Sequence, residues 1–374
     1  MRGRIRRRSK SSWELTIDLG RDARGRRQRK FVSVRGKKAD AERKLRELLT
    51  TLDGGVPIHT SHLMLNDYLE RWLEFHSTRV RQRTIYGYGL IIRRYITPRL
   101  GSIPLTKLQP GHAEQIYTSM IAKGLSPRTV IQTHRVLKKA LKQAVRWNMI
   151  GRNPLDLVDP PTAEQKEMIT LDVDQLLQLL DRAMEGRYGA AIYTSAYTGL
   201  RRGELVGLQW PDIDLERKVI SVRREVVFVP RTGYVISQPK SAKSRRAVDV
   251  ASAVVEVLQR HRAAQAEHRL RLGSAFKNEE WVFCKDDGSH LSPTTLTRAF
   301  AAIRDELGLP PVRLHDLRHT HASLLLQAGV HLKVVQERLG HSTIAVTADT
   351  YSHVAAGLQR AAAEAFDQVM DGSL

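Results

Sequence analysis

Four short stretches of this sequence combine side chains that can carry out chemistry. They are TGLRRGEL (198–205), QPKSAKSRRAVDV (238–250), LHDLRHTHASLLLQAG (314–329) and LGHSTIAVTADTYSHV (339–354). The third stretch places His315 and His319 four residues apart, the spacing at which two imidazoles on a helix bind zinc in a hydrolase. The carboxylate between them, Asp316, directly follows the first histidine and is shorter than glutamate, and the sequence marks no clear third ligand. We therefore do not favour a zinc hydrolase, which would predict loss of activity with a chelator.

Tyr351 lies near the end of the fourth stretch, with Asp349, Thr350, Ser352 and His353 around it. A tyrosine usually packs its apolar ring in a core or interface while its hydroxyl meets a polar partner. Polar residues on both sides make it unfavourable to bury Tyr351 in a core. The sequence therefore raises the question of what chemistry the Tyr351 phenol performs. The neighbouring His353 is predicted to be a surface residue.

Together, the four stretches resemble the tyrosine recombinase family, the site-specific recombinases of the phage-integrase type. The segments TGLRRGEL, HDLRHTHASLLL, LGHS and YSHV occur in the order of the family and at similar spacings. The resemblance implies an enzyme that cleaves and rejoins DNA strands through a covalent 3′-phosphotyrosyl intermediate, integrating and excising a mobile element. It implies no cofactor and no required metal. The catalytic residues expected from it are Arg201, Lys240, His315, Arg318, His341 and Tyr351.

The nucleophile, the two arginines and the lysine expected from the resemblance suit strand cleavage. The Tyr351 phenol would hold the phosphate covalently, so neither water nor metal is needed for the cut. Arg201 and Arg318 would offer planar donor forks to the negative charge that spreads over the phosphate oxygens. Lys240 matches the general acid that protonates the 5′-oxygen, with Lys243 as a competitor that the sequence does not exclude.

Two histidines and one carboxylate complete the site that the resemblance implies. His315 is expected to act as a general acid or base beside the tyrosine, because its unperturbed pKa lies near working pH. His341 resembles the family's second histidine or tryptophan position, which hydrogen-bonds the phosphate or the leaving oxygen. Glu204 would fix the orientation of the cations and relieve their mutual repulsion, while Arg202 would contact the DNA backbone or remain a surface charge.

The charge of the chain favours the same partner. The sequence has 61 Lys or Arg against 39 Asp or Glu, a net charge of +22, and such a basic protein usually binds a polyanion. Residues 1–50 carry 18 Lys or Arg against 6 Asp or Glu, a net charge of +12, so more than half of the excess lies there. Double-stranded DNA with core-type and arm-type attachment sites is the expected partner. The single cysteine, Cys284, excludes an internal disulfide framework and a cysteine-based zinc site.

The ends of the chain bear on localisation and assembly. No apolar run reaches membrane-spanning length, and the start MRGRIRRRSK lacks the apolar segment of a signal peptide, so we expect a cytoplasmic protein. The resemblance implies a homotetramer on two DNA sites, in which the final pattern LQRAAAEAFDQVM packs on a neighbouring subunit. A self-packed terminal helix is the alternative. An excision factor or a DNA-bending protein could take part.

Hydrophobic periodicity predicts a multidomain α+β fold of three parts. Residues 1–55 form a small β-sheet plus a helix, since Trp13, Leu15 and Ile17 alternate at period two before a helical pattern. Residues 61–159 are all helical, and residues 165–374 are mixed and mainly helical with a small antiparallel sheet. The resemblance assigns these parts as an arm-type DNA-binding domain, a core-binding domain and the catalytic recombinase domain.

Other functions fit fewer of these features. A type IB topoisomerase would share the chemistry but relax DNA without recombining it, and the arm-like domain and the tail argue for recombination. A non-enzymatic DNA-binding regulator explains the charge but not the Arg, Lys, His and Tyr set, and it predicts that Tyr351→Phe changes nothing. An inactive relative would lack a member of that set, whereas all members are present here.

Overall fold

The 374-residue chain is a mixed α+β protein made of two units, residues 1–165 and 166–374. The computed structural model describes residues 3–21, 27–53, 63–164, 168–230, 232–238, 244–277, 280–348, 363–364 and 366–371. The predicted α+β class is confirmed, with small antiparallel sheets at the N-terminus and in the second unit. None of the helices in these ranges is long and apolar enough to cross a membrane.

The chain begins with a three-stranded antiparallel sheet, in the order β1–β2–β3, that packs on one helix. Its elements are β1 (Gly3–Ser9), β2 (Ser12–Arg21), β3 (Arg27–Arg35) and α1 (Lys38–Asp53). The predicted alternation in β2 is confirmed, because Leu15 and Ile17 are fully buried. The arginine-rich start of the chain also fits a solvated tail, but residues 3–9 form strand β1, in which Ile5 lies opposite Leu15 on the inward face.

The rest of the first unit is a helical bundle, as predicted for residues 61–159. Its core surrounds Trp72, which is fully buried, and Tyr68, whose hydroxyl donates to the carbonyl of Ala140 (2.5 Å). Ser126 caps α6 (Pro127–Arg146): its hydroxyl oxygen accepts a hydrogen bond from the Thr129 amide at 3.4 Å, which satisfies a backbone donor at the helix start. A π-helical turn, Ile92–Ile96, joins α3 to α4. The other helices are α2 (Leu65–Ser77), α3 (Gln82–Ile91), α4 (Thr97–Leu100) and α5 (Pro110–Ala122).

The second unit is built around α8 (Gly189–Thr198), which packs against α7 (Val173–Met184), α10 (Ser252–Leu272) and α12 (Leu317–Gln327). Small residues such as Ala190, Ala191 and Ala196 make this helix buried on most sides. Buried small side chains let the neighbouring helices approach closely, so the end of α8 is held firmly in the interior. The other helices are α9 (Arg202–Leu205), α11 (Pro293–Glu306) and α13 (Leu332–Leu339).

Two small antiparallel sheets accompany these helices. One joins β4 (Ile213–Asp214), β5 (Val219–Val222) and β8 (Arg246–Asp249), with β5 in the centre, and the other is a hairpin of β6 (Glu225–Val229) and β7 (Gly233–Ser237). The pattern of residues 218–229 predicts one strand, whereas the structure forms two strands there, in two different sheets. The break has a physical cause, since Arg223 and Arg224 reach back to the buried carboxylate of Asp212.

Candidate active site

In the second unit, helices α8 and α13 both end beside the start of helix α12. Helix α8 ends at Gly199 (φ +62°) and α13 ends at Gly340 (φ +67°), both in the left-handed conformation that glycine adopts without steric cost. The last carbonyls of a helix lack intrahelical donors and carry the negative end of the helix dipole. The two glycine turns therefore bring carbonyl oxygens to one place, where they attract cations.

Arg318 lies between these two helix ends. It is the second residue of α12 and is only 3% exposed. Its Nη1 donates to the Gly199 carbonyl (2.7 Å) and its Nη2 donates to the Leu339 carbonyl (2.6 Å). The guanidinium is thus fixed by the ends of α8 and α13.

Arg201 meets the same turn from the other side. Its Nη2 donates to the Gly340 carbonyl (3.1 Å), one residue beyond the carbonyl that Arg318 uses. Its Nη1 donates to Glu204 Oε1 (2.7 Å), and its backbone amide donates to Glu204 Oε2 (2.9 Å). The Arg201 side chain remains 33% exposed. The two arginines predicted from the sequence therefore lie side by side, one enclosed and one open.

Glu204 is the buried anion of this cluster, with its side chain 1% exposed. Burial alone would raise the pKa of the Glu204 carboxyl, but Arg246 first, and Arg201 with it, lower this pKa below its usual value. The carboxylate accepts from Arg246 Nη1 (3.3 Å) and Nη2 (3.1 Å). The supporting role predicted for Glu204 thus involves a second arginine that the sequence did not single out.

His315 and Arg318 are three residues apart, a spacing that predicts one shared helical face, but His315 lies outside the helix that contains Arg318. It lies in a single 3-10 turn, Leu314–Asp316, that precedes α12. The residue is exposed, and its ring faces the ring of His319 edge-on at 5.6 Å. Although the residue is exposed by surface area, protein atoms around the ring displace part of its water, and this desolvation, followed by the charges of His319 and Arg318, lowers the pKa of His315 and favours a neutral imidazole at pH 7.

His341 directly follows the Gly340 turn. Its Nδ1 lies 2.9 Å from the hydroxyl oxygen of Thr347, and its carbonyl accepts from Gln336 Nε2 (2.7 Å). Burial, and then the charges of Arg318 and Arg201, lower the pKa of His341 to about 3. A neutral imidazole can still donate or accept a hydrogen bond, and an incoming anion would raise its pKa.

Behind the site, Arg338 and His321 join four elements. Arg338 donates to His321 Nε2 (2.9 Å), to the Asp249 carbonyl (2.8 Å) and to the Tyr197 carbonyl (3.0 Å). Burial, and then Arg338, lower the pKa of His321 to about 3, so its ring is neutral and Nε2 accepts. These contacts tie α8, α12, α13 and β8 together. Sequence analysis missed both residues.

The structure therefore brings together Arg201, Glu204, His315, Arg318 and His341. Lys240, its competitor Lys243, and Tyr351 lie outside the described residues. In the part of the chain that is described, no group of three or more His, Cys, Asp or Glu is placed to hold a metal ion. What the described part can do is fix two guanidiniums and neutral imidazoles around an anion.

The Gly199 turn offers a test of this arrangement. We expect Gly199→Ala to lower the free energy of unfolding, because a left-handed alanine costs ~1–2 kcal/mol and crowding adds ~1–3 kcal/mol. The crowding arises because a Cβ there would lie 2.7 Å from Leu339 Cδ2 and 3.0 Å from His321 Cδ2. The Gly199 carbonyl that holds Arg318 should shift with the turn. Thermal unfolding, and the rate of the DNA cleavage that the sequence leads us to expect, would measure the two effects, and we expect that rate to fall at least roughly tenfold.

A matched control exists at Gly308, which has nearly the same φ of +61°. None of the described heavy atoms lies within 4 Å of a Cβ added there. Gly308→Ala should therefore lower the free energy of unfolding only by the cost of a left-handed alanine, and it should cleave DNA at the normal rate. Equal cleavage by both variants would contradict the idea that the Gly199 turn positions Arg318.

Comparison with known proteins places this site in a family. The model of the phage integrase family matches residues 168–357, and the model of the phage integrase N-terminal SAM-like domain matches residues 64–121. A tyrosine recombinase XerC-like protein of Caldanaerobacter subterraneus subsp. tengcongensis is 31% identical over 365 residues, covering 92% of this chain and 93% of the relative. The ICEBs1 integrase of Bacillus subtilis is 28% identical over 283 residues, covering 75% of this chain and 76% of the relative.

Solved structures agree with this assignment. A variant of the Tn1549 transposon integrase, in complex with transposon right-end DNA, superposes with a TM-score of 0.70 at 25% identity, covering 80% of this chain and 100% of that one. A lambda integrase dimer bound to a COC′ core site shares the fold, with a TM-score of 0.57 at 18% identity, covering 93% of this chain and 94% of that one. The architecture is that of the tyrosine integrases in these structures. The chain belongs to the phage integrase family, and its activity is site-specific DNA recombination.

Proposed function

We propose that the chain cleaves a DNA phosphodiester bond in the site formed by Arg201, Arg318, His315 and His341. Tyr351 is the nucleophile and Lys240 is the general acid. One observation carries this proposal: two guanidiniums are fixed to the successive carbonyls of Leu339 and Gly340, with a neutral imidazole, His341, beside them. A pair of fixed cations suits the spread of negative charge in phosphoryl transfer, where positioning and charge stabilisation supply most of the catalysis.

The proposed reaction is a transesterification. The Tyr351 oxygen forms a bond to phosphorus as the bond to the 5′-oxygen breaks, which leaves a 3′-phosphotyrosyl link and a free 5′-hydroxyl. The phenol proton passes to His315, whose lowered pKa leaves it neutral and able to accept it. Lys240 supplies the proton for the 5′-oxygen, with Lys243 as the alternative donor. Attack by a 5′-hydroxyl of another strand reverses these steps and joins the new partners.

The helical part of the first unit supplies a surface for duplex DNA. A groove of about 700 Å³ lies between α6 and residues 160–163, and it is lined by Arg135, Lys138, Lys139 and Lys142. Four cations along one helix suit contacts to the phosphate backbone, which carry no sequence information but dominate affinity. On this basis we assign residues 61–159 as the core-binding domain. We assign residues 165–374 as the catalytic domain because they contain all the proposed catalytic residues.

The N-terminal sheet has an outer face that suits a second DNA site. The register places Arg4 opposite Thr16, and Thr16 opposite Phe31, on the face away from α1, and Arg6 and Arg29 share that face. Phe31 is 61% exposed there. A two- or three-stranded basic sheet fits the major groove, where apolar side chains contact thymine methyl groups. We assign residues 1–55 as the arm-type DNA-binding domain.

Removing residues 1–55 is expected to abolish binding to an arm-type site while cleavage of a core-type site remains within roughly threefold of the full chain. The reason is that the truncation removes 18 Lys or Arg against 7 Asp or Glu, a net charge of +11, but none of the proposed catalytic residues. Gel-shift titrations on arm and core duplexes, and adduct formation on the core duplex, measure the two effects. Loss of adduct formation together with arm binding would contradict this division of labour.

Assembly follows from the same proposal. Recombination exchanges strands between two DNA sites, and we infer a homotetramer with one subunit at each cleavage position. The C-terminal residues that are described leave Phe366, Val369 and Met370 largely exposed, as suits contact with a neighbouring subunit. An excision factor or a DNA-bending protein could set the direction of the reaction.

The experiment that tests the function uses a nicked core-site duplex from the boundary of the element that encodes the chain. The full-length protein is incubated with it in chelator, and the products are separated on a denaturing gel. A protein–DNA adduct whose peptide map ends on Tyr351 would support the proposal. Binding of the same duplex in a gel-shift assay without an adduct would favour a non-enzymatic regulator. On a supercoiled plasmid that carries the core site, relaxation without recombinants would favour a topoisomerase.

A further inference from the structure

Arg246 is an almost completely enclosed cation beside the two arginines of the site. It is the first residue of β8, and its side chain is 6% exposed. Besides its two bonds to Glu204, Arg246 donates from Nε to the Arg338 carbonyl (2.6 Å) and from Nη1 to the Ser244 carbonyl (3.2 Å). An enclosed guanidinium with these partners is not placed to touch a DNA phosphate, so its role must be exerted through its neighbours.

The first of these neighbours is Glu204. Arg246 meets both carboxylate oxygens, Nη1 on Oε1 and Nη2 on Oε2, in the bidentate arrangement that fixes a carboxylate in a plane. Arg201 uses the same two oxygens, but with only one guanidinium nitrogen and its backbone amide. Arg246 therefore determines where the carboxylate stands, and the carboxylate in turn determines where the Arg201 guanidinium points.

The second neighbour is the end of α13. The Arg338 carbonyl that accepts from Arg246 Nε directly precedes Leu339 and Gly340 in the chain. The Leu339 and Gly340 carbonyls hold Arg318 and Arg201. The Arg246 guanidinium thus holds both the Glu204 carboxylate and the end of α13. These two groups in turn position the arginines that are predicted to bind the phosphate.

We propose that Arg246 is a positioning residue for strand cleavage, which holds Glu204 and the end of α13 so that Arg201 faces the phosphate. This inference rests on the role proposed for Arg201 and goes beyond it, since Arg246 acts on the reaction without touching DNA. Misplacing a catalytic group by about 1 Å can cost roughly 100-fold in rate. Loss of Arg246 should have an effect of that size.

The test compares two substrates in single-turnover adduct formation by the full-length chain. One is the nicked core-site duplex, and the other carries an uncharged methylphosphonate at the scissile position. Arg201 acts on the negative charge of the phosphate oxygens, so a substrate without that charge depends less on it. We expect Arg246→Gln to slow cleavage of the phosphodiester roughly 100-fold and cleavage of the methylphosphonate far less, as Arg201→Ala should do.

The matched control is Arg245→Gln, which removes the same charge from the exposed neighbouring residue. It should alter the salt dependence of binding without changing the ratio of the two cleavage rates. If Arg246→Gln lowers both rates equally, or neither, the inference is wrong, because a merely structural role would not change the ratio.

Arg246→Lys guards against a variant that fails to fold, because it keeps the charge but loses the planar fork. It should change the ratio of the two cleavage rates in the same direction as Arg246→Gln but by a smaller factor, and a normal ratio would overturn the inference. A wild-type chain without any adduct would overturn the proposed function and this inference together. A normal wild-type adduct, an Arg201-dependent ratio and an unaltered Arg246→Gln would overturn this inference alone.

Discussion

Phenylalanine at position 351 is expected to abolish the covalent protein–DNA adduct while DNA affinity stays within about twofold of wild type. Tyr351→Phe removes one oxygen, the proposed nucleophile, and leaves the ring and every cation in place. Loss of a nucleophile typically removes at least roughly 10⁴-fold of the rate. The measurement is single-turnover adduct formation on a nicked core-site duplex in chelator, with affinity measured in parallel.

Tyr188→Phe is the matched control for this experiment. Tyr188 precedes α8 at the end opposite Gly199, so its hydroxyl lies a whole helix away from the Arg318 turn. It should form the adduct at the wild-type rate. An adduct from Tyr351→Phe would show that another residue is the nucleophile, and loss of the wild-type adduct on adding chelator would show that a metal takes part.

Local patterns predicted the elements of this protein where they carried a strong period or a cap. The bundle helices α2, α5 and α6 show this: apolar residues recur at helical spacing in each, α5 begins at Pro110, and the cap residue Ser126 directly precedes α6. Strand β1 was missed because arginines occupy most of its positions, and a charged run also fits a solvated tail. The break between β5 and β6 was missed because it depends on Asp212, which is buried by the tertiary fold.

The candidate site divides in the same way. Arg201, Glu204, His315, Arg318 and His341 could be found from the sequence because they lie in short stretches that resemble the family. Arg246, Arg338 and His321 could not, because their partners are distant in the chain: Arg246 lies 42 residues from Glu204 and 92 from Arg338. A weak signal was present, since Arg246 alternates with the buried Val248 and Val250 and so had to face inward.

Arg318→Ala is expected to lower the cleavage rate by roughly 10³–10⁵-fold, the range seen when an arginine that stabilises a phosphoryl-transfer transition state is lost. DNA affinity should fall at most about tenfold, since many backbone contacts share the binding energy. Alanine also leaves the buried carbonyls of Gly199 and Leu339 without this donor, which should cost ~1–3 kcal/mol for each one that water does not reach. Thermal unfolding must therefore be measured beside binding and single-turnover cleavage.

Two further variants separate charge from geometry at this position. Arg318→Lys keeps the charge but cannot hold both the Gly199 and Leu339 carbonyls in one plane, so we expect a loss of roughly 10²–10³-fold. Arg298→Ala removes an exposed guanidinium from α11 and should cleave normally. Normal cleavage by Arg318→Lys would mean that charge alone suffices, and normal cleavage by Arg318→Ala would mean that the turns at Gly199 and Gly340 enclose a structural arginine. Only a graded loss, alanine below lysine below wild type, fits a guanidinium that two helix ends hold in place for the phosphate.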